Sequence, residues 1–236
     1  MIPKIINYCW FGKNPLPRSG KRCIESWAKY CPDYKIVEWN ELNFDIHCHP
    51  FVESAYKSQA WAFVSDYARL KIIYENGGIY MDTDIELLKN IDFLLENKMY
   101  IGIQQQKKLC NTGLGFGAEA HHPIVKQMLE KYDNLIYSND IAESIACPYL
   151  NSEVIQKQGY VESDEVQTIN DVTVYPPRYM DPLSPGDAKN LLCNDTFSIS
   201  HYAASWTSGS NRFKRKLFNF IGLERIAKIK KVIKKY

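Results

Sequence analysis

The chain has 236 residues, 45% of them hydrophobic, and its 29 Lys or Arg nearly balance 27 Asp or Glu for a net charge of +2. That length suits one sizeable core in a single domain, while no apolar stretch approaches a membrane span and the N-terminus lacks the apolar run of a signal peptide. Seven cysteines at irregular spacings argue against a disulfide framework and for a reducing cytoplasm.

Hydrophobic periodicity predicts strand 4–10, helix 18–30, strand 35–39, helix 58–76, strand 79–81, strand 99–104, strand 112–118 and helix 123–135. The alternation describes an α/β fold, a sheet flanked by helices. Residues 137–196 are less regular, and Tyr175-Pro176-Pro177-Arg178-Tyr179 and Pro182-Leu183-Ser184-Pro185-Gly186 are expected to be loop. His47-Cys48-His49 lacks the second ligand pair that a zinc site needs.

The end of the chain differs in character. Residues 207–236 hold ten Lys or Arg against the single acid Glu224, so this segment carries +9 and the remainder −7. Phe213, Leu217, Phe220 and Ile221, then Ile226, Ile229, Ile233 and Tyr236, recur at helical spacing around a break at Gly222. A basic amphipathic tail of this kind is read as a membrane-surface anchor, with a solvated helix packed on the domain as the plainer alternative. No nucleic-acid-binding motif accompanies the charge.

The most informative stretch is Gly77-Gly78-Ile79-Tyr80-Met81-Asp82-Thr83-Asp84. The glycines end a helix that is apolar nearly all round, and a short strand leads into the two aspartates. In extended backbone residues two apart share a face, so Asp82 and Asp84 are expected to present their oxygens side by side. Such a pair suits Mg²⁺ or Mn²⁺, which take oxygen ligands, although Asp-x-Asp also occurs in turns. Within the apolar helix Asp66 and Arg69 stand three residues apart on one face. They form either a solvated ion pair or a polar pair directed at a polyhydroxylated ligand.

The segment Ala62-Phe63-Val64-Ser65-Asp66-Tyr67-Ala68-Arg69, with the octet that follows, resembles glycosyltransferase family 32, the sugar transferases with a DXD motif. Its members include bacterial capsule enzymes and yeast mannosyltransferases, with the clostridial glucosylating toxins as distant relatives. The resemblance extends through Ile2-Pro3-Lys4-Ile5-Ile6-Asn7-Tyr8-Cys9-Trp10-Phe11-Gly12, Asn111-Thr112-Gly113, His122-Pro123 and Ser198-Ile199-Ser200-His201-Tyr202-Ala203-Ala204-Ser205-Trp206. Asn7 stands where a His is common, and Ala146-Cys147-Pro148 where Thr-Gly-Pro is frequent.

The resemblance implies a GT-A fold over residues 1–206, with residues 207–236 as the tail. It implies a metal held by Asp82, Asp84 and His201, a donor sugar positioned by Asp66 and Arg69, and Asp84 serving catalysis as well. Trp10 would stack on the base or else fill the core. Tyr80, Asn111, Ser205 and Trp206 would complete the nucleotide-sugar site. The expected activity is transfer of a hexose, with retention of configuration, from a nucleotide sugar (UDP before GDP) to a glycan or lipid-linked glycan. Mn²⁺ or Mg²⁺ would assist, and the work would serve surface polysaccharide synthesis at the cytoplasmic membrane face. No residue identifies itself as a nucleophile. A metal-dependent phosphatase and a non-enzymatic membrane adaptor are the alternatives, the first lacking a matching Lys and acidic pair downstream.

Overall fold

The structure is a computed structural model that describes residues 1–185 and 188–203. Strand β1 (Ile5–Cys9) pairs in parallel with β2 (Lys35–Trp39) through the crossover helix α1 (Arg18–Tyr30). Two helices, α2 (Pro50–Lys57) and α3 (Trp61–Asn76), return the chain to β3 (Gly78–Tyr80), parallel to β1 on its other side. Beyond β3 the chain leaves the sheet, and β4 (Ile85–Leu87) pairs instead with β9 (Ser198–Ser200) as a separate antiparallel ribbon.

The sheet continues through β5 (Met99–Gly102) and β6 (Phe116–Ala118), with helices α4 (Pro123–Glu130) and α5 (Cys147–Lys157) following. A hairpin of β7 (Gln167–Ile169) and β8 (Val172–Tyr175) and the single turn α6 (Pro177–Met180) complete it. Its order is β2-β1-β3-β6-β5-β8-β7. β6 is inserted antiparallel between β3 and β5, so the sheet is mixed. This is the GT-A-type architecture expected from the sequence: a mixed α/β sheet with helices on both faces.

Alternation along the strands sorts the core. Ile79, Tyr100 and Met81 join one cluster with Trp27 of α1, whereas Tyr80 and Ile101 join the other with Val64, Ala68, Ile72 and Ile73 of α3. Helix α3 is buried on nearly every side, and Gly77 ends it at φ +67°. Gly78 follows at φ +103°, where a Cβ would come within 2.9 Å of the Ile5 carbonyl oxygen. Only a residue without a side chain lets the chain reverse there and enter β3 against β1.

Several boundaries differ from the sequence reading. The predicted helix 58–76 begins at Trp61, because Gln59 in a left-handed conformation (φ +56°) separates it from α2, which was not predicted. His49 starts α2, its Nδ1 accepting the Phe51 N–H at 3.1 Å ahead of Pro50. Strand 112–118 shortens to Phe116–Ala118 because the Asn111 side chain accepts the Gly113 N–H and bends the chain into a turn. Strand 99–104 ends at Gly102, and helix 123–135 at Glu130. Residues 137–196 contain α5 and the β7–β8 hairpin, and Tyr175 to Tyr179 span the end of β8 and the start of α6 rather than loop alone. Ser205, Trp206 and the basic tail lie outside the described residues.

Trp27 ties α1 to the segment after the aspartates: it is fully buried, and its ring N–H donates to the Ile85 carbonyl at 2.7 Å. Trp27→Ala is expected to lower the unfolding free energy by about 3–5 kcal/mol, measured by urea denaturation, through the cavity and the orphaned carbonyl.

Candidate active site

Tyr80 and Asp82 lie two apart at the end of β3 and face α3 together. The Tyr80 hydroxyl donates to Asp82 Oδ1 at 3.0 Å. Across from them Arg69, its side chain only 4% exposed, reaches Asp82 Oδ1 and Asp66 Oδ1 through Nη2, each at 3.1 Å. Its Nε donates to the Ser65 carbonyl at 3.1 Å, its Nη1 to the Thr112 hydroxyl at 3.4 Å, and its plane lies 4.8 Å above the Tyr80 ring. The pair Asp66–Arg69 is therefore an ion pair, as one sequence reading had it, but a buried one extended to the motif aspartate.

Asp84 is placed differently from the expectation. The strand ends at Tyr80, and the Ile85 N–H donates to the Asp82 carbonyl at 3.0 Å, so Asp82-Thr83-Asp84 is a turn rather than extended backbone. The reason is the departure of β4 to pair with β9. Asp84 is then held by the segment that follows β9. Its Oδ2 accepts the Ala203 N–H at 2.8 Å and its carbonyl the His201 N–H at 2.9 Å.

Asp82 and Asp84 nonetheless open on one cavity of about 460 Å³, with Asp66, Arg69 and Asn111. Ala62 and Phe63 of α3, the segment around Gln106 and Gly113, the start of α5 (Ala146, Cys147, Pro148), and Pro185, Ser200 and Tyr202 supply the walls. A Cβ at Gly113 would press on Asp82 Oδ2, so any side chain there would displace that carboxylate.

The remaining predicted residues fall elsewhere. Tyr80 is buried beneath the floor, and Trp10 lies outside the cavity lining, with its ring N–H donating to the Asn14 carbonyl at 2.6 Å. The imidazole of His201 turns to Glu86, Nε2 to Oε2 2.7 Å, because β9 aligned on β4 directs it past the aspartates. As it stands the imidazole does not join Asp82 and Asp84. Among the described residues, no three carboxylate, imidazole or thiol side chains converge to hold a metal.

Two residues that sequence reasoning passed over sit beside Arg69. Thr112, fully buried, receives Arg69 on one side and the Asn151 amide at 3.2 Å on the other. Cys147 places its sulfur 3.8 Å from Arg69 Nη1. Both lie in the segments Asn111-Thr112-Gly113 and Ala146-Cys147-Pro148 that the sequence marks, but which side chain turns inward depends on turn and helix geometry.

Two carboxylates, Asp66 and Asp82, contact one guanidinium, with Asp84 beyond Asp82, and the electrostatics follow. Burial raises the Asp66 pKa, opposed by the Arg69 charge. Burial and the neighbouring Asp82 charge push Asp84 up to about 6. Burial alone would lower the pKa of Arg69, but the charges of Asp82 and Asp66 more than reverse this, so it stays ionised. Burial pushes the Cys147 thiol up well above its ordinary range, which keeps it protonated.

Residues 17–106 match the family described as the glycosyltransferase sugar-binding region containing DXD motif. Over those residues the chain is similar to the DXD glycosyltransferases. Over 221 residues it is 24% identical to an uncharacterized glycosyltransferase of Acanthamoeba polyphaga mimivirus, covering 87% of this chain and 84% of that one. It is 26% identical over 141 residues to inositol phosphoceramide mannosyltransferase 3 of Schizosaccharomyces pombe, covering 58% of this chain. The chain thus spans about two fifths of that protein's length, the covered share being 39%. Among solved structures, the PaToxG glycosyltransferase aligns with a TM-score of 0.52 at 16% identity, covering 66% of this chain and 69% of that one, which supports the fold. These likenesses are to glycosyltransferases, where the sequence alone left a phosphatase and an adaptor open.

The raised Asp84 pKa has a sign that can be tested. A carboxyl that binds its proton more tightly folded than unfolded favours the fold at pH below about 4, and that contribution is lost as pH rises through about 6. In buffer containing a chelator, Asp84→Asn is therefore expected to gain on the wild type by about 2 kcal/mol between about pH 4 and pH 7, read from urea midpoints.

Proposed function

We propose that this protein transfers a hexose from a nucleotide sugar, UDP-linked in preference to GDP-linked, to a glycan or lipid-linked glycan with retention of configuration. The observation that carries the reading is the buried Arg69, which binds Asp66 and Asp82 at the floor of a cavity that Asp84 also enters. Hexose transfer is also the activity named for the fission-yeast relative.

The donor set fits Mn²⁺ or Mg²⁺. Asp82 and Asp84 offer hard oxygen ligands, and Asp84, raised by burial and then by the Asp82 charge beside it, is a carboxyl that a bound cation would favour in its ionised form. A divalent cation at these aspartates would offset charge on the leaving diphosphate. His201 is left out of this set while it is bonded to Glu86.

The chain's own groups supply orientation. Asp66 accepts and Arg69 donates toward hydroxyls of the donor sugar, and the Tyr80 hydroxyl keeps Asp82 turned to the cavity. The acceptor oxygen attacks the anomeric carbon on the face the diphosphate leaves, and its proton passes to the departing phosphate oxygen. Trapping of a glycosyl-enzyme would overturn this route.

The strongly basic segment 207–236 favours a place at the cytoplasmic membrane face, where a lipid-linked acceptor of surface polysaccharide would be met. No helix among the described residues is long and apolar enough to cross a membrane.

With Mn²⁺ and a panel of UDP- and GDP-sugars, the wild type is expected to release nucleotide from at least one, and Asp82→Asn to lower that rate by about 100-fold or more with its circular dichroism unchanged. A panel without any turnover would refute the reading. Replacing Lys228, Lys230, Lys231, Lys234 and Lys235 by Gln should weaken sedimentation with anionic vesicles by about 1 kcal/mol per charge, leaving neutral vesicles unaffected.

A further inference from the structure

Phe63, Asp66 and Arg69 stand at intervals of three on α3 and all line the same cavity. They form a ladder up one helix face, each step rising about 4.5 Å. Arg69 is the inner rung, since it reaches Asp82 at the end of β3. Helix α3 turns at Gly77 directly into β3 and so runs antiparallel to it, which places Phe63, near the start of α3, outermost beyond the carboxyl edge of the sheet. The charged residues on that line, Asp66, Arg69 and Asp82, therefore lie inward of this ring.

We propose that Phe63 is the platform for the acceptor, a neutral hexopyranose whose apolar C–H face lies on the phenyl ring. The inference rests on the transferase reading above. A donor's diphosphate belongs with the charged inner end, whereas a ring one rung beyond the sugar-positioning Asp66 is the next place a sugar unit can stand. Phe63 is half-buried, and its ring packs at a tilt against Tyr137 at a centroid distance of 4.7 Å, which restrains it. The neighbouring lining of Ala62, Ala146 and Pro148 is uncharged and suits an amphipathic ring that keeps its hydroxyl edges free.

The test uses the full chain with Mn²⁺, the nucleotide sugar that it turns over, and methyl α- and β-glycosides of glucose, galactose and mannose as acceptors. Phe63→Ala and Phe63→Leu are each expected to raise the acceptor KM about tenfold while the donor KM stays within about twofold, and Phe63→Trp to restore the acceptor KM. Leucine keeps the apolar volume and the packing on Tyr137, so it separates stacking from filling of space. A Phe63→Leu variant with wild-type acceptor KM overturns the inference. So does an equal rise in both constants, and so does a wild type that turns over its donor yet uses none of these hexosides. Absence of donor turnover in the wild type instead refutes the transferase reading, and the platform falls with it.

Discussion

The cavity floor is governed by a single buried charge. A guanidinium removed from water costs several kcal/mol unless its donors are matched, and Arg69 meets that demand from four directions: Ser65 behind it, Thr112 beside it, Asp66 and Asp82 in front, and the Tyr80 ring beneath. These partners come from α3, from the turn before β6, and from the end of β3. None of those segments can shift without leaving a buried charge short of a partner. The burial that makes the pair expensive also makes the geometry of the floor rigid. Gly113 shows how tightly the segments are drawn together, since even a methyl group there has no room beside Asp82.

What the sequence made legible was local or had period two. The buried helix, its glycine stop and the short strand are written in residues 61–80, and α1 and β2 fall on their predicted bounds. Alternation also explains why Asp82 meets Arg69: it shares a face with Tyr80, and that face looks toward α3. The same rule fails two residues later. Strand geometry applies only while the chain stays in the sheet, and β4 leaves it to pair with a segment more than a hundred residues away. Nothing near Asp84 announces that partner.

The other omissions have the same cause. Helix α5 begins at Cys147-Pro148, which reads as a loop, yet its first turn lies against Arg69 only because α5 packs on α4 and α4 on α3. Asn111 is the conspicuous polar residue of its turn, but its carbonyl is spent on Gly113 and its amide on Gln104, which leaves Thr112 to face the guanidinium. His201 carries the residue type of a ligand and Glu86 carries its partner, and their meeting depends on the β4–β9 register. In each case residue type was readable and direction was not, because direction is set by contacts distant in sequence.

The two motif aspartates are consequently unlike each other, despite their symmetry in the sequence. Asp82 is neutralised by Arg69 and held by Tyr80, so its orientation belongs to the rigid floor. Asp84 has no cation of comparable closeness among the described residues; it is oriented by backbone N–H groups of residues 201 and 203, and burial with the Asp82 charge pushes its pKa up to about 6. Its position and that of the segment after β9 therefore determine each other. Any ligand that draws on the free electron pairs of Asp84 acts on the same carboxylate that anchors Ala203. One aspartate ties the site to the sheet, and the other ties it to the last described strand.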